Sequence, residues 1–120
     1  MLVVDGNNVI GAVADGWWRD RPAAVRRLLA RLQGLGEPVT VVLDVPQADL
    51  PEGEHGGVVV RYATRRGRDA ADDRIRELVE EGGVTTVVTS DRALRADVEA
   101  AGVAVIGAGT FLARLDQRQR

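Results

Sequence analysis

Leu2-Val3-Val4-Asp5, Val41-Val42-Leu43-Asp44 and Val87-Val88-Thr89-Ser90-Asp91 decide how the chain folds. Each is an apolar, β-branched run that ends in an aspartate. Runs this apolar, with no polar alternation, suit strands covered on both faces, as in a parallel sheet. Parallel strands share one carboxyl edge, and open α/β sheets bind their ligands there. A fourth acidic group, Asp69-Ala70-Ala71-Asp72-Asp73, opens a helical stretch. The carboxylates should therefore meet at one edge, where they repel unless protonated or bridged by a cation.

Between these landmarks the chain alternates strand and helix. Strands are predicted at residues 2–5, 39–44, 58–62, 84–89 and 103–106. Gly6-Asn7-Asn8 reads as a tight loop, and residues 9–18 as a connection without an assigned form. Asp20 caps a first helix with Pro22 in its opening turn, carrying Val25, Leu28, Leu29, Leu32 and Leu35 at helical spacing. Residues 46–57, rich in Pro, Gly and acids, read as a surface loop. A second helix spans about 70–81, closed by Gly82-Gly83. A third carries Leu94, Val98 and Ala101. Thr110 is a candidate cap for a last short helix with Phe111, Leu112 and Leu115. The alternation predicts one doubly wound α/β domain over residues 1–116. A polar tail at 117–120 should fray.

Composition narrows the chemistry. The chain has 120 residues, no cysteine and a net charge of −2. Thiolate chemistry, disulfides and cysteine zinc sites are excluded. All 16 basic residues are arginine. Phosphoacceptor receiver domains and haloacid-dehalogenase phosphatases share the outline of aspartates at strand ends, but both depend on lysine. A phosphate-binding P-loop needs lysine too. Gly107-Ala108-Gly109 lacks the third glycine of a dinucleotide fingerprint and reads as a plain turn. No stretch approaches the roughly 20 apolar residues of a membrane span. With no signal-peptide pattern at the start, a cytoplasmic location is expected.

Helix phase sorts the acidic cluster. At about 100° per residue, Asp72 lies roughly 20° from Val79 and roughly 60° from Ile75, on the stripe facing the sheet. Asp73 should face solvent, mainly as a solvated charge at the rim of the site, and Asp69, at or before the cap, is a rim residue too. Asp69 and Asp91 have an ordinary use as helix N-caps as well. Asp44 belongs to the same edge, as a rim residue or a structural one, and Ser90 stands beside Asp91. Asn8 can reach back to orient Asp5 or a phosphate, or bond its own backbone. Hard oxygen donors favour Mg²⁺ or Mn²⁺, which activate water and neutralise charge in phosphoryl chemistry. Arg65, Arg66 and Arg68 form a basic loop beside the acids, suited to flanking phosphates or simply solvated. Trp18, with Trp17, either stacks on bases or anchors the entry to the first helix. His55, in a Gly-rich acidic loop, has no evident catalytic use.

The segments Val3-Val4-Asp5-Gly6-Asn7-Asn8-Val9-Ile10-Gly11, Val41-Val42-Leu43-Asp44, Ala71-Asp72-Asp73-Arg74-Ile75 and Thr89-Ser90-Asp91 together resemble the YacP-like group of NYN domains in the PIN-like nuclease superfamily. The resemblance covers nearly the whole chain. It implies a three-layer α/β/α fold with a central parallel sheet, ordered 3-2-1-4-5 in the strands above. It also implies a Mg²⁺- or Mn²⁺-dependent endoribonuclease, with Asp5, Asp72 and Asp91 as the metal-binding acids. Such a protein takes RNA as its partner, and small PIN-like domains often pair as homodimers. The position after Gly6, often aromatic in the group, is Asn7 here. The extended C-terminal region of some relatives is absent, so ribosome association does not carry over. Some PIN-like domains bind RNA without cutting it, which leaves a non-cleaving RNA-binding module as the alternative. A DNA-directed nuclease would need helical clamps for which 120 residues leave no room.

Overall fold

Val3, Val4, Val42, Val87 and Val88 have no measurable exposure, because helices cover both faces of the sheet that they build. The structure, a computed structural model, describes residues 1–67 and 69–119. Its strands are β1 (Leu2–Asp5), β2 (Val39–Leu43), β3 (Gly53–His55), β4 (Val58–Tyr62), β5 (Thr86–Val88) and β6 (Ala104–Ile106). Its helices are α1 (Gly6–Gly11), α2 (Arg21–Gln33), α3 (Ala70–Glu81), α4 (Arg92–Ala100) and α5 (Ala108–Arg118), with one 3₁₀ turn at Trp17–Arg19. The sheet runs β3-β4-β2-β1-β5-β6.

The five strands expected from the sequence lie parallel and in the expected order. One correction applies: the sheet is mixed, not purely parallel. Gly53–His55, read as loop, pairs antiparallel with β4 as an added edge strand. Three residues with Gly and Glu among them carry no strand pattern; only the neighbouring edge of β4 recruits them.

Two cores flank the sheet. Val4, Val41, Val60 and Val88 pack under α1, α2 and α5 with Val9, Leu28, Leu32 and Phe111. Val3, Val42 and Val87 pack on the other face under α3 and α4 with Ile75, Leu78, Leu94 and Val98. Each such side chain contributes about 1.5–3 kcal/mol on burial. This is the three-layer α/β/α architecture.

The segment after β1 differs from expectation. Gly6-Asn7-Asn8 is the first turn of α1, not a loop. A Cβ on Gly6 would stand 2.6 Å from Leu43 Cδ2 and 3.0 Å from the Val42 carbonyl. Only glycine lets α1 cross β2 this closely, and at six residues α1 is too short to announce itself by periodicity. α5 begins at Ala108 behind Gly107, ahead of Thr110, and runs past residue 116 to Arg118. In the segment expected to fray, Gln119 donates to the Arg31 carbonyl (2.9 Å), and Arg31 pairs with Asp116 just before it. Residue 120 lies outside the described residues. Asp20 caps α2 through the Ala23 N–H at 3.1 Å, as expected. Among the described residues, no helix is long and apolar enough to cross a membrane.

Candidate active site

Strand alternation places the central carboxylate. Val3 and Asp5 share a face of β1, and Val87 and Thr89 share the same face of the β5 segment beside it. That face lies under α3 and α4. Asp5 is accordingly 4% exposed, and Thr89 is fully buried. The Thr89 hydroxyl donates to Asp5 Oδ2 at 2.9 Å and accepts from the Asp91 N–H at 3.1 Å. One hydroxyl therefore links two of the acids.

Asp91 is both cap and cleft residue. Its Oδ1 accepts from the Leu94 N–H (2.9 Å), which starts α4, and the residue also lines the acidic cleft. Asp72 sits in the first turn of α3, half-buried, as helix phase predicted. Asp69 precedes α3 in the left-handed region (φ 61°), the one non-glycine residue with positive φ among those described. Its side chain makes no cap. Such a backbone costs about 1 kcal/mol or more and tends to gather at functional sites.

These side chains line one open cleft of about 340 Å³, bounded by Asp5, Asn8, Asp44, Asp69, Asp72 and Asp91. Burial drives the Asp5 carboxyl up to about 6, and the negative charges of Asp72 and Asp91 push the same way. The Thr89 hydroxyl pulls against them, as does the Asn8 N–H nearby, which does not close a cap hydrogen bond. Burial also raises Asp72, helped by Asp91, while Arg76 partly offsets the rise. Among the described residues no ion pair involves Asp5, Asp72 or Asp91.

Other expected residues take different places. Asp73 pairs with Arg65 and Arg76, and those cations hold its carboxyl below the usual range. It lies outside the described lining of the cleft. Arg66 is exposed on the same loop, whose Gly67 reaches the cleft. Arg68 lies outside the described residues. Trp18 stands 61% exposed, edge-on to Trp17 and under Arg19, away from the described lining of the acidic cleft. Asn8 Oδ1 accepts from the Ser90 N–H (2.8 Å), and Ser90 Oγ accepts from the Ala108 N–H (2.9 Å). Both side chains thus lock α1, α4 and α5 around the cleft rather than bonding Asp5.

Two residues escaped the sequence reading. Thr89 was readable from the two-residue strand period. Asn7 was not, because its partner is 37 positions away. Its Nδ2 donates to Asp44 Oδ1 (2.8 Å) and its Oδ1 accepts from the Asp44 N–H (2.9 Å). This pair binds the ends of β1 and β2, and Arg21 adds an ion pair to Asp44 (3.3 Å).

The donor set suits a hard divalent cation: carboxylate oxygens, with no cysteine or histidine at hand. Asp5 is a buried carboxylate without a compensating cation among the described side chains, which is costly. The acids ring the cleft rather than close on one point. Among the described residues no three acidic or histidine groups are drawn to the spacing of ligands on a single ion.

This chain superposes on the crystal structure of Rae1 (YacP) from Bacillus subtilis with a TM-score of 0.80, covering 100% of this chain and 75% of that one at 24% identity. The fold is that of YacP. A single-substitution mutant of the same Bacillus protein matches equally, with a TM-score of 0.80 over 99% of this chain and 76% of the YacP chain, at 24% identity. No protein-family model matches the sequence, and no curated protein matches it significantly. Within the YacP fold, the acidic cleft occupies the carboxyl edge of the strands, where β1 lies between β2 and β5.

Proposed function

We propose that the chain is a metal-dependent endoribonuclease whose acidic cleft, lined by Asp5, Asp72 and Asp91, holds Mg²⁺ or Mn²⁺ by one or two of these carboxylates at a time, with water and substrate oxygens completing the shell. The observation that carries this reading is Asp5, a carboxyl buried at the end of the central strand, facing two more acids across an open cleft. A fold gains nothing from that cluster alone, since burying like charges together is destabilising. The ion would supply an activated water and charge neutralisation at a phosphodiester. The chain's own groups do the remaining work. Thr89 and the Leu94 N–H fix the Asp5 and Asp91 carboxylates before substrate arrives. Asn8 lines the cleft with its Nδ2 unpartnered among the described residues, available to a phosphate oxygen. Arg66 on the adjoining loop suits a flanking phosphate. RNA rather than DNA rests on the resemblance to YacP-like domains, which the shared fold supports.

The test is cleavage of single-stranded RNA with Mg²⁺ or Mn²⁺, against EDTA and Asp5→Asn controls. Metal-dependent products from the wild type and none from the variant are expected. Equal behaviour of the two proteins would overturn the enzyme reading, and RNA retained but uncut would favour the non-cleaving module.

A further inference from the structure

A second cleft, of about 280 Å³, adjoins the acidic one, and Asn7 and Asp44 form the wall between them by lining both. Its character is different. Pro22, Val25, Leu43 and Val45 give it apolar surfaces, and Val45 is 57% exposed although large and apolar. Gln47 lines it as well, and the buried Gln47 Oε1 has no partner among the described residues. An orphaned buried acceptor costs about 1–3 kcal/mol, which a ligand donor would recover. Arg21 stands at the entrance, paired with Asp44 and lying over the Trp17 ring, 5.8 Å from its centre.

The walls are built in advance. The Leu50 N–H donates to the Gln47 carbonyl (3.1 Å), Tyr62 Oη donates to the Leu50 carbonyl (2.5 Å), and Arg26 pairs with Asp49 (3.1 Å). These contacts tie the 46–50 turn to β4 and α2, so the backbone of the cleft is fixed and only the Gln47 side chain has to turn to present Oε1 to a base. Apolar side chains, one unsatisfied amide oxygen and a guanidinium in the lining match the apolar faces and polar edge of a nucleobase.

We infer that this cleft is a base subsite, which takes the unpaired base of the nucleotide next to the phosphate held in the acidic cleft. The inference rests on the nuclease reading for its direction but not for its test. A base enters only when unstacked, so the preferred substrate is single-stranded. The Gln47 carboxamide reads the base edge, and bases that present an N–H donor to Oε1 are favoured.

The experiment is an NMR titration of isotopically labelled protein in EDTA with adenosine 5′-monophosphate and, separately, ribose 5-phosphate. Expected are shifts of the Gln47 side-chain amide and the Val25 and Val45 methyls with the nucleotide, and none of these with the sugar phosphate. Gln47→Leu, which deletes an unsatisfied group and should fold normally, is expected to bind the nucleotide about tenfold more weakly. Shifts elsewhere, no shifts up to about 10 mM, or equal shifts with ribose 5-phosphate would overturn the subsite. Neither metal nor cleavage is needed. RNA cut by a wild type that fails this titration would sink the subsite alone. Nucleotide bound here by a protein that cuts nothing would sink the nuclease reading alone.

Discussion

Replacing Asp5 by asparagine should make the metal-free protein more stable, by an amount that depends on pH. The folded carboxyl sits at about 6 against an ordinary value of 3.8. Its folded value is raised, so the protonated form is the one the fold favours. The cost of ionisation is present in full above about pH 6 and is relieved as pH falls toward 4. A gap of about two pH units corresponds to about 3 kcal/mol at pH 8, falling to about half at pH 5 and to about 0.6 kcal/mol at pH 4. Asp5 is 4% exposed, so solvent screening takes little from this figure. Asparagine keeps an oxygen to accept from Thr89 while losing the charge. For a domain of this size the variant should melt about 10 °C higher than wild type at pH 8 in EDTA, and the two should nearly converge by pH 4. Urea or thermal unfolding by circular dichroism measures both. Added Mg²⁺ should then raise the wild type and leave the variant where it was, since only the native site binds. A variant less stable than wild type at pH 8, or a gap indifferent to pH, would refute the claim that Asp5 is held at a cost.

At Asp91, asparagine preserves the cap on Leu94 while alanine removes it, so Asp91→Ala should cost about 1 kcal/mol in urea denaturation and Asp91→Asn almost nothing. Nuclease assays should find both inactive, which separates the capping role from the charge. Asp72→Asn should leave the melting temperature unchanged or raised, because it relieves repulsion in the cleft. Thr89→Val leaves the Asp91 N–H and the Asp5 carboxylate without a shared partner, at about 1–3 kcal/mol. That loss should be larger at pH 8 than at pH 5, since the hydroxyl favours the ionised carboxyl. Gly6→Ala should destabilise by about 1–3 kcal/mol through overpacking against Leu43 and the Val42 carbonyl, visible as a lower urea midpoint with an unchanged slope.

The parallel run of the main strands and the placement of Asp72 were readable from residues alone, whereas the strand order came only from the family resemblance. Uninterrupted β-branched runs demand cover on both faces, and helix phase is a local quantity. The short elements were not. α1 is stabilised by its close passage over β2 at Gly6, and β3 by the open edge of β4, neither of which leaves a periodic trace. The expected role of Asn8 toward Asp5 gave way to a bond with the Ser90 N–H, 82 positions away.

From its sequence alone this chain was bound to form a covered parallel sheet with acids at the strand ends and no lysine chemistry, because strand period, helix phase and composition are properties of neighbouring residues. Tertiary structure alone decided that Asp5 would be buried and Asp73 neutralised by arginines. It also tied Asn7 to Asp44 and opened a second cleft behind that pair. Each of these depends on which distant groups share a desolvated space, and burial and Coulomb energy are set by distance through the fold rather than along the chain.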